Sequence, residues 1–188
     1  MKSNDSILNL KKQRFIKTLL ETGRKGMSNV LQELESRGFY TSPASSRYHL
    51  AYSGGLLVHS INVLDAAQDI AQMLPDGLVN DVSLIIASLL HDVCKTGTYQ
   101  ISEETNKYYK VYSETPFGHG EKSVIMLQDW GLKLTEEEIA SIRWHMGAWS
   151  LNLFSYEEVQ QYNMAIEKYP LATVIQMADQ FASKITER

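Results

Sequence analysis

The stretch "LLHDVCKTG", Leu89 to Gly97, sets a histidine beside an aspartate at the end of the apolar run "VSLIIASLL" (82–90). Burying an unpaired carboxylate is expensive, so Asp92 calls for a partner. The surrounding segment "VNDVSLIIASLLHDVCK" (79–95) has the pattern of a helix buried for most of its length. The rest of the chain is where that partner is sought.

Outward from this helix, apolar spacing predicts more of the same kind. "SILNLKKQRFIKTLLETG" (6–23) carries Ile7, Leu10, Phe15, Leu19 and Leu20 as a stripe, and "MSNVLQELESRGF" (27–39) continues to a stop at Gly38. "YTSPASSRYHLAYSGG" (40–55) is a polar loop too long for a plain connector, and loops of that length usually carry function. "LLVHSINVLDAAQDIAQML" (56–74) is an amphipathic helix halted by Pro75. "TYQISEETNKYYKVY" (98–112) changes pattern and predicts a β-hairpin around its polar centre. Helices are again expected over 120–131, over 135–147 with Thr135 as N-cap, over 155–169, and from Pro170 onward. The fold class expected is all-α, a helical bundle with one small β-hairpin.

Composition narrows the function classes. The chain has 188 residues, 44% of them hydrophobic, which suits one core of good size. A net charge of −4 lacks the basic footprint of an extended nucleic-acid surface, while leaving room for a local phosphate pocket. Cys94 is the only cysteine, so no internal disulfide forms and a reducing, cytoplasmic setting is expected. The N-terminal residues lack the apolar core of a signal peptide, and "VSLIIASLL" is too short to span a bilayer. No membrane association is expected.

Four of the five histidines, His59, His91, His119 and His145, fall on four different elements, and Asp179 lies on the last helix. A bundle can aim side chains from facing helices into one shared site. Imidazole and carboxylate together suit Zn, Mn, Fe, Co or Ni, and the absence of a cysteine cluster argues against a structural zinc. Taken singly, each of these residues reads more simply as a surface or hydrogen-bonded side chain.

Lys95 stands four residues after His91, on the same face of the expected helix. It either holds an anionic substrate group above a cation or complements the helix dipole. Arg47 and His49, in the long loop, make local hydrogen bonds or line a substrate mouth that welcomes an anion. Arg143 reads as a phosphate contact or as a brace for a carboxylate. Glu121 and Lys122 are similar candidates, each reading otherwise as part of a solvated helix start, the simpler reading for Lys122. Tyr99, Tyr108, Tyr109 and Tyr112 could stack on a base or pack across the hairpin. Cys94 reads as a small buried apolar residue.

The order His59, His91-Asp92, Asp179 resembles the H…HD…D signature of the metal-dependent HD-domain superfamily. The strings "GGLLVHS", "LLHDVCKTG" and "ADQFAS" resemble it locally, and the likeness runs from about residue 45 to 186. His119 in "FGHGEKS" and His145 in "IRWHMG" extend it to the H…HD…H…H…D pattern of two-metal members. The resemblance implies a single HD domain over 1–188, with residues 1–44 as an N-terminal helical extension packed on the bundle. It implies one or two divalent cations. The first would take His59, His91 and Asp179, Asp92 would bridge, and the second would take His119 and His145. Asp92 and Lys95 would be catalytic, Lys95 also contacting substrate together with Arg47, His49 and Arg143.

The activity so implied is hydrolysis of a phosphomonoester or phosphodiester by a metal-activated water. The partner would be a small, nucleotide-like phosphorylated substrate, with a homo-oligomer of the chain a further expectation. Two other outcomes use the same residues: a di-iron oxygenase of the HD-domain type, and a non-catalytic nucleotide-sensing module.

Overall fold

In the computed structural model, which describes residues 2–111 and 117–187, the chain begins with α1 (Lys2–Glu21), α2 (Met27–Ser36), α3 (Gly55–Ala71) and α4 (Asp81–Leu90). The strands β1 (Tyr99–Ile101) and β2 (Tyr108–Lys110) follow. The chain closes with α5 (His119–Asp129), α6 (Glu136–Trp144), α7 (Tyr156–Lys168) and α8 (Pro170–Phe181). The fold is the expected all-α bundle with one hairpin.

α3 runs through the centre and packs against α8, α4 and α1, while α6 closes the bundle against α8, α5 and α4. Phe15 and Leu19 of α1, Leu34 of α2, Leu56 and Ile61 of α3, Leu89 and Leu90 of α4, and Ile175 of α8 are all buried in one cluster. Each such side chain contributes about 1.5–3 kcal/mol of transfer free energy. α4 is apolar on nearly every side because it has neighbours on nearly every side. Its start is fixed by Asn80, whose side chain accepts from the Ser83 backbone N–H.

A buried carboxylate ties three elements together away from the histidines. Glu138 closes a capping box with Thr135 at the start of α6. It also accepts from both terminal nitrogens of Arg24, at 2.9 and 2.7 Å, and from the Ser83 hydroxyl at 2.9 Å. The turn after α1 is thereby pinned to α4 and α6.

The helix expected over 79–95 breaks at the His-Asp pair. α4 stops at Leu90, His91 forms its C-cap, and Asp92 leaves helical geometry at φ −108°, ψ 17°. Val93–Lys95 then form a short 3-10 turn. A continuous helix would swing Asp92 about 100° away from His91. The break lets both side chains enter one centre, and it puts Lys95 in a 3-10 turn, its Nζ against the same Asp92 oxygen that faces His91.

α8 also ends irregularly. Ala182–Thr186 form a π turn, and the Glu187 N–H donates to the Ala182 carbonyl at 3.1 Å. The hairpin pairs Tyr99 with Lys110 and Gln100 with Tyr109, and the Tyr109 hydroxyl donates to Gln100. Tyr112 lies outside the described residues. Among the described residues, no helix is long and apolar enough to cross a membrane.

Candidate metal centre

The ends of three helices converge on the N-terminal part of α3. His91 caps the C-terminus of α4, His119 opens α5, and His145 caps the C-terminus of α6. His59 comes from within α3 and Asp179 from the last turn of α8. Asp92 stands in their midst, 2% exposed.

The two oxygens of Asp92 face different groups. Oδ2 lies 2.6 Å from Lys95 Nζ, 3.3 Å from His91 Nε2 and 3.5 Å from His59 Nε2. Oδ1 lies 2.6 Å from His119 Nε2 and 3.5 Å from His145 Nε2. Asp179 Oδ1 sits on the Oδ2 side, 3.2 Å from His59 Nε2.

Each imidazole is anchored through its other nitrogen. His91 Nδ1–H donates to the Ser88 carbonyl at 2.8 Å, and His145 Nδ1–H to the Ile142 carbonyl at 2.7 Å. His59 Nδ1 lies 3.0 Å from each carboxylate oxygen of Glu187. His119 Nδ1 lies 3.0 Å from Cys94 Sγ. The rings are therefore held with Nε2 toward Asp92. The Nε2 atoms of His59, His91 and His145 are buried and have no hydrogen-bond partner. An orphaned buried polar atom costs about 1–3 kcal/mol. Three of them facing carboxylates make a donor set that fits a cation.

The electrostatics agree. Burial would raise Asp92, but Lys95, His91 and His119 hold its carboxyl well below the usual range. Burial likewise opposes ionisation of Asp179, which His59 nevertheless holds low. Burial would lower His59, yet Asp179 and Glu187 raise it to about 9. His145 is raised against burial by Asp92, and Lys95 against burial by Asp92 and Asp179. A protonated His59 and the Lys95 ammonium thus supply positive charge beside the carboxylates.

The long loop brings His49 alongside. The Ala44 N–H donates to the Leu50 carbonyl and Ser45 Oγ to the His49 carbonyl, folding the loop onto the start of α3. A Cβ at Gly55 would lie 2.0 Å from the Leu50 carbonyl oxygen, so only glycine permits this approach. The His49 ring sits 5.0 Å from that of His59, and its Nε2 is buried without a hydrogen bond. Burial, then the charges of His59 and Lys95, lower His49 to about 4. It is a neutral imidazole beside a charged cluster.

The two arginines stand differently. Arg47 is exposed and lies over the Tyr48 ring. Arg143 pairs with Glu121 at 2.7 Å and stacks 3.5 Å above the Trp144 ring. A Cβ at Gly120 would fall 2.2 Å from the Arg143 carbonyl oxygen, so α5 and α6 touch backbone to backbone beside His119.

Cys94 is buried, as expected, with its thiol pushed up to about 12 by burial and Asp92. Its contact with His119 and the part played by Glu187 had no sequence signal. Both depend on chain reversals that local patterning does not encode.

A family model described as HD domain matches residues 56–184, more than half of the chain. Comparison with curated proteins and with solved structures returned no match.

Proposed function

The chain belongs to the HD-domain family, a superfamily of metal-dependent phosphohydrolases, and from that premise we propose that it hydrolyses a phosphomonoester or phosphodiester of nucleotide-like character. One observation carries the reading: a single buried carboxylate turns each oxygen toward a different set of imidazoles, three of which present orphaned Nε2 atoms. His59, His91 and Asp179 with Asp92 Oδ2 would hold one cation, and His119 and His145 with Asp92 Oδ1 a second. Divalent cations bound there supply Lewis acidity and a water activated at neutral pH.

The chain's own groups do the remaining work. Lys95, 13% exposed at the edge of the cluster, presents a fixed positive charge to a substrate phosphoryl group. His49, neutral on the long loop beside His59 and Glu187, would offer a hydrogen bond at the mouth. Arg47, exposed on the same loop, meets the approaching anion. Arg143 braces Glu121 at the start of α5 and so supports the helix that carries His119. The exposed Tyr109 and half-buried Tyr99 offer faces on which a base can stack. The acidic net charge favours a small substrate over long nucleic acid.

The test is metal analysis of purified protein together with a turnover screen against nucleotides and diesters under Mn²⁺, Co²⁺ and Fe²⁺. The expected result is close to two ions per chain, phosphate release, and loss of both in Asp92→Ala. One ion per chain would make His119 and His145 substrate contacts. Oxygen uptake with an iron signal would move the chain to oxygenase chemistry. Protein that binds no metal and turns nothing over would remove the reading.

A further inference from the structure

Glu187 lies beyond the residues matched to the family and outside the six-residue pattern. Its side chain is nonetheless 0% exposed, with both oxygens 3.0 Å from His59 Nδ1. Asn62 Nδ2 donates to Oε1 at 3.0 Å. His59 and Asn62 are three residues apart on α3, hence neighbours on one face. That face grips a single carboxylate with two donors.

The route of the chain explains how Glu187 arrives there. On a continuous α-helix, the eighth residue after Asp179 would point about 80° away from it. The π turn over Ala182–Thr186 takes up one extra residue. Glu187 then stands where a seventh residue would, about 20° from the direction of Asp179. The two carboxylates approach one imidazole from opposite nitrogens, Asp179 at 3.2 Å from Nε2 and Glu187 at 3.0 Å from Nδ1.

We propose that Glu187 is a positioning residue of the metal centre: it accepts the Nδ1–H of His59, fixes the ring with Nε2 toward the first cation position, and strengthens that nitrogen as a donor. The proposal rests on the metal reading above. Its basis is a contrast among the four rings. His91 and His145 donate Nδ1–H to backbone carbonyls and His119 lies against a thiol, whereas His59 alone is backed by a charged acceptor. A charged acceptor behind an imidazole raises its basicity as a ligand. The position served by His59 is therefore the tighter of the two.

Chelator-stripped wild type, Glu187→Ala, Glu187→Gln and Asn62→Ala would be titrated with Zn²⁺ by calorimetry, and the His59 ring protons followed by ¹H–¹⁵N NMR. Wild type is expected to show a downfield, slowly exchanging His59 Nδ1–H both without metal and with Zn²⁺. Glu187→Ala should lose that proton signal and bind its tightest Zn²⁺ equivalent about 10- to 100-fold more weakly. Glu187→Gln, which keeps an acceptor without the charge, should fall between, and Asn62→Ala should weaken binding a few-fold. Unchanged Zn²⁺ affinity with the proton still protected in Glu187→Ala would overturn the proposal. If that variant does not fold, wild-type affinity in both Glu187→Gln and Asn62→Ala would overturn it equally. Wild type that binds no Zn²⁺ would sink the metal reading instead, and the proton signal of the metal-free protein would still report the Glu187 contact.

Discussion

Lys95 Nζ sits 2.6 Å from Asp92 Oδ2, closer to that oxygen than His91 at 3.3 Å or His59 at 3.5 Å. An ammonium and a metal ion on one carboxylate oxygen would repel, so under the metal reading proposed above the lysine would turn to the substrate side. Lys95→Ala should leave bound metal unchanged and lower turnover by about 10²-fold. Metal analysis and kcat measured on the same preparation check this. Loss of metal along with activity would show that the lysine holds the site together instead.

Gly120 has no room for a side chain, since its Cβ would lie 2.2 Å from the Arg143 carbonyl oxygen. Backbone cannot yield there as a flexible side chain would. Gly120→Ala should cost about 1–3 kcal/mol by pushing α5 away from α6. Because His119 is its chain neighbour, the shift also draws that ring from Asp92, and one ion per chain should be lost. Thermal melts and metal counting test the two effects separately.

Arg24→Ala would strip Glu138 of its guanidinium partner while leaving the carboxylate buried at 0% exposure. Removing one member of a buried pair costs about 3–5 kcal/mol. Urea unfolding should show that loss, and the folded fraction should keep its metal, because Glu138 and the histidines sit in separate clusters. Reduced metal binding in folded protein would contradict that separation.

The metal-free protein should be most stable near pH 6.5. His59 is raised from 6.5 to about 9, since Asp179 and Glu187 outweigh burial. Between those values the folded chain holds more protons than the unfolded one, so this stabilisation is lost as pH rises through about 9. His49 is lowered to about 4, mainly by burial, so its contribution is lost as pH falls below about 6.5. The depressed carboxyls of Asp92 and Asp179 add to the acid-side loss. Circular-dichroism melts of chelator-treated protein from acid to alkaline pH would show a dome, and a melting temperature still rising at pH 9 would contradict the His59 assignment.

How much of this could be read beforehand follows from which forces are local. Of the stripe read on α1, Phe15 and Leu19 are buried while Ile7, Leu10 and Leu20 are exposed, whereas Thr135 with Glu138 marks the start of α6 because capping acts within a few residues. The order of His59, His91, Asp92, His119, His145 and Asp179 is visible in the chain, and the structure gathers these side chains around Asp92. The break after Leu90 is not visible, since local apolar spacing runs straight through it. Glu187 is hidden for a related reason: the π turn shifts its phase by one residue, so a reader counting α-helical turns from Asp179 places it on the wrong face.

His91 and His145 each close a helix by donating Nδ1–H to the carbonyl three residues before, Ser88 for one and Ile142 for the other. Those carbonyls belong to last turns, which have no intrahelical donor of their own. The bond that finishes each helix is thus the same bond that stops its imidazole from rotating. For these two rings, conformational entropy is surrendered when the helices form, before any ion arrives. His119, held by a thiol instead of a helix carbonyl and 30% exposed, is the ring with most left for an ion to order.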